Sequence, residues 1–300
     1  MSSTLPPRIV VAFRPTEWDL LLERHATPGQ ARFFLESRGK DVDEILHRHG
    51  RQSAAIREVE LAIPTSWRRL RTTRADFSTF IFRPEDIIVA VGQDGLIPNI
   101  AKYLDGHPVV GVNPDRSRHE GALVRFDPTQ VREILGQVAT AACTLETRTM
   151  VEARLDDGQR LVALNEIYIG HESHQSSRYI LHVNGNSEQQ SSSGIIVATG
   201  TGSTGWARSI ATERSSTIAL PAPDESHLAF FVREAWPSVF TGSELSEGVL
   251  TGIDDLRVVS EMDSGGVVFG DGIEADRLHI NWGQTVQIGV APETLELVVG

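Results

Sequence analysis

The sequence predicts an α/β first half, built on a doubly wound and mostly parallel sheet, and a β-rich, sandwich-like second half. Three observations predict it. Ile87-Ile88-Val89-Ala90-Val91 is an unbroken apolar run, mostly β-branched, of the kind carried by parallel strands buried on both faces. The run ends in Gly92-Gln93-Asp94-Gly95, after which Leu96, Ile97, Ile100 and Leu104 recur at helical spacing, with Pro98 tolerable only in a first turn. Beyond residue 143 the pattern changes to short runs punctuated by Asp156-Asp157-Gly158, Asn184-Gly185-Asn186 and Ser191-Ser192-Ser193, which mark antiparallel hairpins. The expected units are residues 1–143 and 144–300, with the last residues free to return to the first.

In chain order, Arg8-Ile9-Val10-Val11-Ala12-Phe13 reads as a first buried strand entered from Pro6-Pro7. Residues 17–50 carry apolar positions at helical spacing and read as helices broken near Pro28-Gly29 and Gly39 and ending at Gly50. Another helix is expected over 51–63, stopped by Pro64, and Phe77–Phe82 reads as a weak strand or a helix end. The next strand is His107–Asn113, and Asp127-Pro128 caps a helix over 127–141. In the second half, strands are expected at 144–155, 159–170, 177–184 and 194–199, then at 228–233, 256–259, 267–269, 277–281 and 285–290. Residues 206–225 read as helix and loop.

Composition sets limits on function. The chain has 300 residues, of which 40% are hydrophobic, enough for a core and too many for a disordered chain. Its formal net charge of −12, with no basic stripe to offset it, argues against a general nucleic-acid binder. Cys143 is the single cysteine, which excludes an intrachain disulfide and a cysteine-rich metal site. No stretch has the length of a membrane span, and the start Met1-Ser2-Ser3-Thr4-Leu5-Pro6-Pro7 lacks the apolar core of a leader, so a reducing, cytoplasmic setting is expected. The lysines are Lys40 and Lys102, so none stands in a Walker-type loop.

Three constellations carry candidate chemistry. In Gly92-Gln93-Asp94-Gly95 the glycines let a phosphate approach a strand-to-helix turn. Asp94 in the middle either caps the following helix or accepts the proton of a reacting hydroxyl. In Ala163-Leu164-Asn165-Glu166-Ile167 two adjacent polar residues interrupt a strand pattern; they are either a solvated strand end or a pair for ribose hydroxyls. Thr199-Gly200-Thr201-Gly202-Ser203-Thr204-Gly205-Trp206 contains a formal Gly-x-Gly-x-x-Gly, but its antiparallel context lacks the βαβ unit of a dinucleotide fingerprint. Its alternating Gly and hydroxyl residues (Gly200, Gly202, Ser203) suit phosphate or ribose, and Trp206 offers a face for a base. His47-Arg48-His49 and His171 with His174 lack a third ligand and read as solvated histidines.

Taken in order, these three motifs resemble the NAD kinase family, and most closely its mitochondrial-type branch. Thr199–Ser203, Ala163–Gly170, Ser192-Ser193-Gly194, Gly111-Val112-Asn113 with Ser117 and Glu120-Gly121, and the charged helical segment after the first strand all carry the resemblance. It implies an NAD kinase-like fold with the substrate between two domains, and phosphorylation of the adenosine ribose 2′-hydroxyl of NAD to give NADP. By position it implies that Asp94 is the general base, that Gly92, Gln93 and Gly95 hold phosphates, and that Asn165 and Glu166 bind adenosine. Thr204, Gly205 and Trp206, and more weakly Ser209, match the adenosine-contacting end of the Gly/Thr loop. ATP or polyphosphate would be the donor, with Mg²⁺ carried on it to supply neutralisation that this lysine-poor chain does not visibly provide. A homodimer is implied, with no nucleic-acid or membrane partner.

The sequence departs from the family where Gln93 replaces a glycine and Leu96 a threonine; Ser193 stands where the common bacterial form has an aspartate, a change the mitochondrial-type branch shares. Gln93 brings a side chain and loses easy access to positive φ. The departures leave two alternatives open: a superfamily kinase acting on a lipid or sugar hydroxyl, and a non-catalytic NAD-binding sensor.

Overall fold

The structure, a computed structural model, describes residues 6–118, 120–251 and 256–300. The leader reading therefore falls largely on residues 1–5, outside the described residues. Two compact units are present, one of residues 1–146 with 296–300 and one of residues 147–295.

The first unit begins with β1 (Arg8–Phe13), α1 (Glu17–His25), α2 (Pro28–Glu36) and α3 (Val42–Ala62). It continues through β2 (Arg68–Thr73), β3 (Asp86–Val91), α4 (Leu96–Ala101), β4 (Pro108–Val112) and α5 (Val131–Ala139). The strands pair in parallel in the order β2-β1-β3-β4, as the unbroken apolar runs predict. One face of this sheet, with Ile9, Val11, Ile87, Val89 and Val110, packs on Ala55 and Val59 of α3 and on Ile134 and Leu135 of α5. At the other end of the chain Glu296 and Leu297 pair in parallel with Pro108 and Val109 of β4.

The helical layer after β1 differs from expectation in one place. Thr16 closes a capping box with Asp19, Thr27 caps α2 with Pro28 in its first turn, and Asp41 caps α3. Helix α3, however, runs straight through Gly50 instead of ending there. A mid-helix glycine costs only ~1 kcal/mol, and the buried stripe Ile45, Ala55, Val59 and Ala62 holds the helix across it. Leu35, Trp18, Leu21 and Ala31 form a small core among the three helices.

Strand β2 had no signal as a strand because Arg68, Arg69 and Arg71 occupy an exposed edge, where charge guards against further pairing. Phe77–Phe82 forms no strand; Phe77 is buried after a single 3₁₀ turn at Arg74–Asp76. A buried ion pair ties β1 to β3, which stand in register at Arg8 and Asp86. The Arg8 guanidinium meets both Asp86 oxygens at 2.5 Å, and Asp86 also accepts from the Arg83 amide.

The second unit opens with β5 (Leu145–Leu155, its first residues in the first unit), β6 (Arg160–Ala163), β7 (Glu166–His171), β8 (Ser177–Val183), β9 (Asn186–Ser192) and β10 (Ile195–Ala198). Then come α6 (Trp206–Arg214), β11 (His227–Val232), β12 (Glu247–Thr251), β13 (Leu256–Ser260), β14 (Gly266–Gly270), β15 (Ile273–Ile280) and β16 (Thr285–Val298). One sheet has the order β12-β11-β10-β7-β14-β15; β6-β5-β16-β13-β8-β9 form the other. Ile167, Ile169, Ile195, Val197 and Phe230 of the first pack on Val151, Tyr179, Leu181, Val258 and Ile288 of the second, the sandwich core that the hairpin pattern predicts. The outer face of the first sheet, with Tyr168, Ile196 and Phe231, takes α6 through Ala207 and Ile210. The expected single strand over 159–170 is broken by a bend at Leu164-Asn165, so the polar pair stands at a strand boundary.

Removing one partner of a buried ion pair leaves the other uncompensated. Asp86→Ala is expected to lower unfolding free energy by about 3–5 kcal/mol, read from urea denaturation.

Candidate active site

Within the first unit, the chain leaves β3 through Gly92, whose amide donates to the Val112 carbonyl at 3.0 Å. Asp94 does not act as a simple helix cap. Its Oδ1 accepts from the amides of Leu123 (2.8 Å) and Val124 (3.0 Å), and its Oδ2 from that of Ala122 (3.0 Å). A carboxylate has about four acceptor directions, so three amides leave one, on Oδ2. The 120–124 segment reaches Asp94 because β4 is bare at Gly111, where a Cβ would stand 2.2 Å from the Leu123 carbonyl oxygen. Gln93 is not among the non-glycine residues with positive φ, so its backbone is unstrained; its side chain is exposed. Gly92, Gln93 and Gly95 line a cavity of about 260 Å³ whose wall also carries Arg14, Arg48, Arg51 and Arg118. This cluster leaves no local mark in the sequence, since Arg48 and Arg51 on a charged helix look like any solvated face and Arg14 and Arg118 lie in connecting segments. It supplies the neutralising side chains that the scarcity of lysine had seemed to deny.

Within the second unit, the second and third motifs are locked together. Thr199 donates from its hydroxyl to the Leu164 carbonyl (2.5 Å) and from its amide to that of Asn165 (2.9 Å). The same hydroxyl accepts from the amides of Thr201 (3.1 Å) and Gly202 (3.3 Å), which folds the Gly/Thr loop back over the strand boundary. A Cβ on Gly202 would lie 2.1 Å from the Asn165 carbonyl oxygen, and one on Gly200 would lie 1.8 Å from that of Ala222. Ser203 is buried, with its hydroxyl donating to the Thr199 carbonyl at 3.0 Å. Gly200, Gly202 and Ser203 thus shape the loop from inside. Thr204, Gly205 and Ser209 are exposed at its end.

Trp206 is half-buried: its ring stacks at 12° on Tyr168, with centroids 6.2 Å apart, and Arg233 lies 5.1 Å over it. The free base-stacking face expected of Trp206 is therefore part of an aromatic and cationic cluster built by the fold.

Asn165 and Glu166 are half-buried, and among the described residues neither side chain has a hydrogen-bond partner. The residue behind them, Asp271, was not anticipated. Its carboxylate accepts from the amides of Leu164 (3.1 Å) and Asn165 (2.6 Å), and its own amide donates to the Glu166 carbonyl (3.0 Å). It holds φ +55° in the turn Gly270-Asp271-Gly272, a sequence signal that turn chemistry could have flagged. Burial, followed by the nearby Asp271 charge, pushes the Glu166 carboxyl up to about 7. Around neutral pH this group can therefore donate or accept toward a hydroxyl.

In overall architecture the chain matches a solved NADH kinase. The yeast enzyme, in a crystal structure with NADH, superposes with a TM-score of 0.62 over 99% of this chain and 84% of that one; at 14% identity this likeness concerns the fold. No family model matches the sequence. Sequence relatives nevertheless agree on one family. An NAD kinase of Methylococcus capsulatus is 34% identical over 148 residues, covering 46% of this chain and 50% of that protein. One from Methanospirillum hungatei is 25% identical over 193 residues (63% and 64%), and the rat mitochondrial NAD kinase 2 is 25% identical over 256 residues (68% and 60%). Over the matched stretches the chain is similar to NAD kinases. It spans between half and two-thirds of the length of these relatives.

Because the folded pKa of Glu166 lies above the ordinary 4.5, the unfolded chain ionises first and stability falls as pH rises from about 4.5 to 7. Glu166→Gln abolishes that titration. The variant is expected to gain on the wild type in urea midpoint between pH 5 and pH 8, and an unchanged difference would show that the carboxyl titrates normally.

Proposed function

We propose that this chain is an NAD kinase, transferring a phosphoryl group from ATP or polyphosphate to the adenosine ribose 2′-hydroxyl of NAD. The observation that carries the reading is the packing of the Gly/Thr loop on the strand boundary at Asn165 and Glu166: two half-buried polar side chains without a hydrogen-bond partner stand at that boundary, and the end of the loop, Thr204 and Gly205, is exposed. A ribose offers hydroxyls that donate and accept, and an amide beside a carboxyl poised near neutrality satisfies both roles. Asp271 fixes the pair through the backbone, and Ser209 borders the same end of the loop.

In the first unit, Gly92, Gln93 and Gly95 face the donor phosphates, and Asp94 receives the hydroxyl proton on the one acceptor direction its amides leave open. The three amide bonds make its position rigid, which is what a base that orients a nucleophile requires. Mg²⁺, borne by the donor, supplies charge neutralisation at the phosphates when bound. Such an ion would keep most of its waters and take one or two carboxylates; Glu17 and Asp115 are the carboxylates on the cavity wall and would have to leave Arg48 and Arg51 to serve it. On the same reading the protein acts as a cytoplasmic homodimer. No helix among the described residues is long and apolar enough to cross a membrane.

Incubation with NAD, ATP and Mg²⁺ is expected to yield NADP. Asp94→Asn keeps an oxygen for the Leu123 and Val124 amides and is expected to lower kcat by ~10²–10⁴ with NAD affinity retained, measured by turnover and by titration calorimetry. NAD binding without turnover under any donor would favour a sensor, and absence of NAD binding would favour a kinase of another hydroxyl.

A further inference from the structure

Trp206 has one rigid neighbour and one that can yield. The rigid neighbour is Tyr168, against which the indole stacks at 12°. Tyr168 is buried on the outer face of its sheet, and its hydroxyl donates to the Ser193 carbonyl at 3.1 Å. A Cβ on Gly194 would stand 2.5 Å from its ring, so only bare backbone fits there. The platform that backs Trp206 is therefore fixed by the fold.

The yielding neighbour is Arg233, whose guanidinium lies over the Trp206 ring, 5.1 Å from its centroid. Its main chain is held just past β11, where its amide donates to the Gly194 carbonyl and its carbonyl accepts from the Ser193 amide, both at 2.8 Å. Its side chain is held much less. The guanidinium pairs at 3.4 Å with Glu234, a carboxylate exposed to water, and such pairs are weak. Glu234 itself holds φ +39°, a conformation uncommon outside glycine. Strained residues of this kind gather at ligand clamps.

The position of the polar pair gives this cluster a use. Glu166 and Tyr168 are two residues apart on β7, so their side chains share the outer face of the sheet, about 7 Å apart along the strand. That step is comparable to the reach of a nucleoside from its ribose hydroxyls to its base. Trp206 and Arg233 both stack on flat π-systems, the one through its indole face and the other as a planar cation. A ring between them needs two van der Waals gaps, about 7 Å in all. A guanidinium 5.1 Å away must then withdraw by about 2 Å, which a side chain held by one exposed ion pair can do.

We propose that Arg233 is a specificity-determining residue that closes on the substrate's base: the adenine ring enters between its guanidinium and Trp206. The inference rests on the NAD kinase reading for the identity of the base, but the clamp itself is testable without turnover. A cation attracts the face of a neutral purine, whereas it repels the positively charged ring of oxidised nicotinamide. The clamp therefore sorts the two ends of the dinucleotide. Adenine is seated at Trp206, with its own ribose toward Asn165 and Glu166, and nicotinamide is turned away.

The test uses the full chain, with NAD, adenosine and nicotinamide riboside as probes in calorimetric titration. Adenosine carries base and ribose without phosphate, so a loss of its binding cannot come from a lost phosphate contact. Arg233→Ala is expected to weaken NAD and adenosine alike, by about three- to thirtyfold. Arg233→Lys, which keeps the charge and loses the plane, is expected to recover only part. Nicotinamide riboside is expected to gain on adenosine in Arg233→Ala. In turnover the same variant should raise KM for NAD and leave KM for the phosphoryl donor unchanged, which a misfolded variant would not do. Unchanged or tighter adenosine binding in Arg233→Ala would show that the arginine merely covers the indole. Weaker NAD with unchanged adenosine would assign it to the pyrophosphate, and either result overturns the clamp. Arg233-dependent adenosine binding by a protein that forms no NADP would uphold the clamp and refute the kinase reading instead.

Discussion

The constraint on which both candidate sites depend is an aspartate in a tight turn that gathers the backbone amides of a neighbouring segment. Asp94 collects those of Ala122, Leu123 and Val124; Asp271 collects those of Leu164 and Asn165. Loops carry unsatisfied N–H groups, and burying these without partners costs roughly 1–3 kcal/mol each. A carboxylate that accepts two or three of them fixes a loop more firmly than neutral side chains could, because charge-assisted bonds are about twice as strong. In the first unit the gathering residue is itself the candidate catalytic group. In the second it stands one layer behind the residues proposed to touch substrate, and its charge adds to the burial that raises the pKa of Glu166.

Close backbone approach is the complementary device. Gly111 admits the carbonyl of Leu123, and Gly202 admits that of Asn165; in each case a methyl group would overlap a backbone oxygen. Gly111 lets the segment whose amides Asp94 binds come near, and Gly202 lets the Gly/Thr loop close over Asn165. The Gly/Thr loop therefore owes its glycines to packing on Asn165 and Ala222, and its chemical face is the end that escapes packing, Thr204 and Gly205. Thr199 joins the two motifs through a single hydroxyl that donates once and accepts twice, close to the full capacity of the group.

Much of this was legible in the sequence, and what was not has physical causes. The apolar run before Asp94 and the hairpin punctuation after residue 143 fixed the two layer types, because burial on both faces and turn chemistry each leave a local mark. The three motifs were likewise visible, as was their family resemblance. Strand β2 was missed because an exposed arginine-rich edge reverses the pattern that burial writes, and α3 was cut at Gly50 because local propensity yields to a packed stripe. Asp271 and the arginine cavity were missed for a different reason. Their partners lie far away in sequence, Asp271 more than 100 positions from Asn165, and no local pattern records which distant amide or cation a side chain will meet.

The cavity also sets local charge against overall composition. A chain of formal charge −12 should repel a polyanionic donor, and it carries few lysines to offset this. Mobile ions reduce that repulsion to a short range, with a Debye length of about 8 Å at physiological ionic strength. Within that range the charges that count are those on the cavity wall, where four arginines face two carboxylates. Glu17, Asp115 and Glu44 pair with Arg48, Arg51 and Arg118 respectively. Arg14 has no such carboxylate partner among the described residues, and its guanidinium donates to the Asn99 side-chain oxygen instead. In this acidic protein the excess of cations is a local property of the cavity wall, and Gln93 sits at its edge as a side chain among side chains rather than as a flaw in a glycine turn.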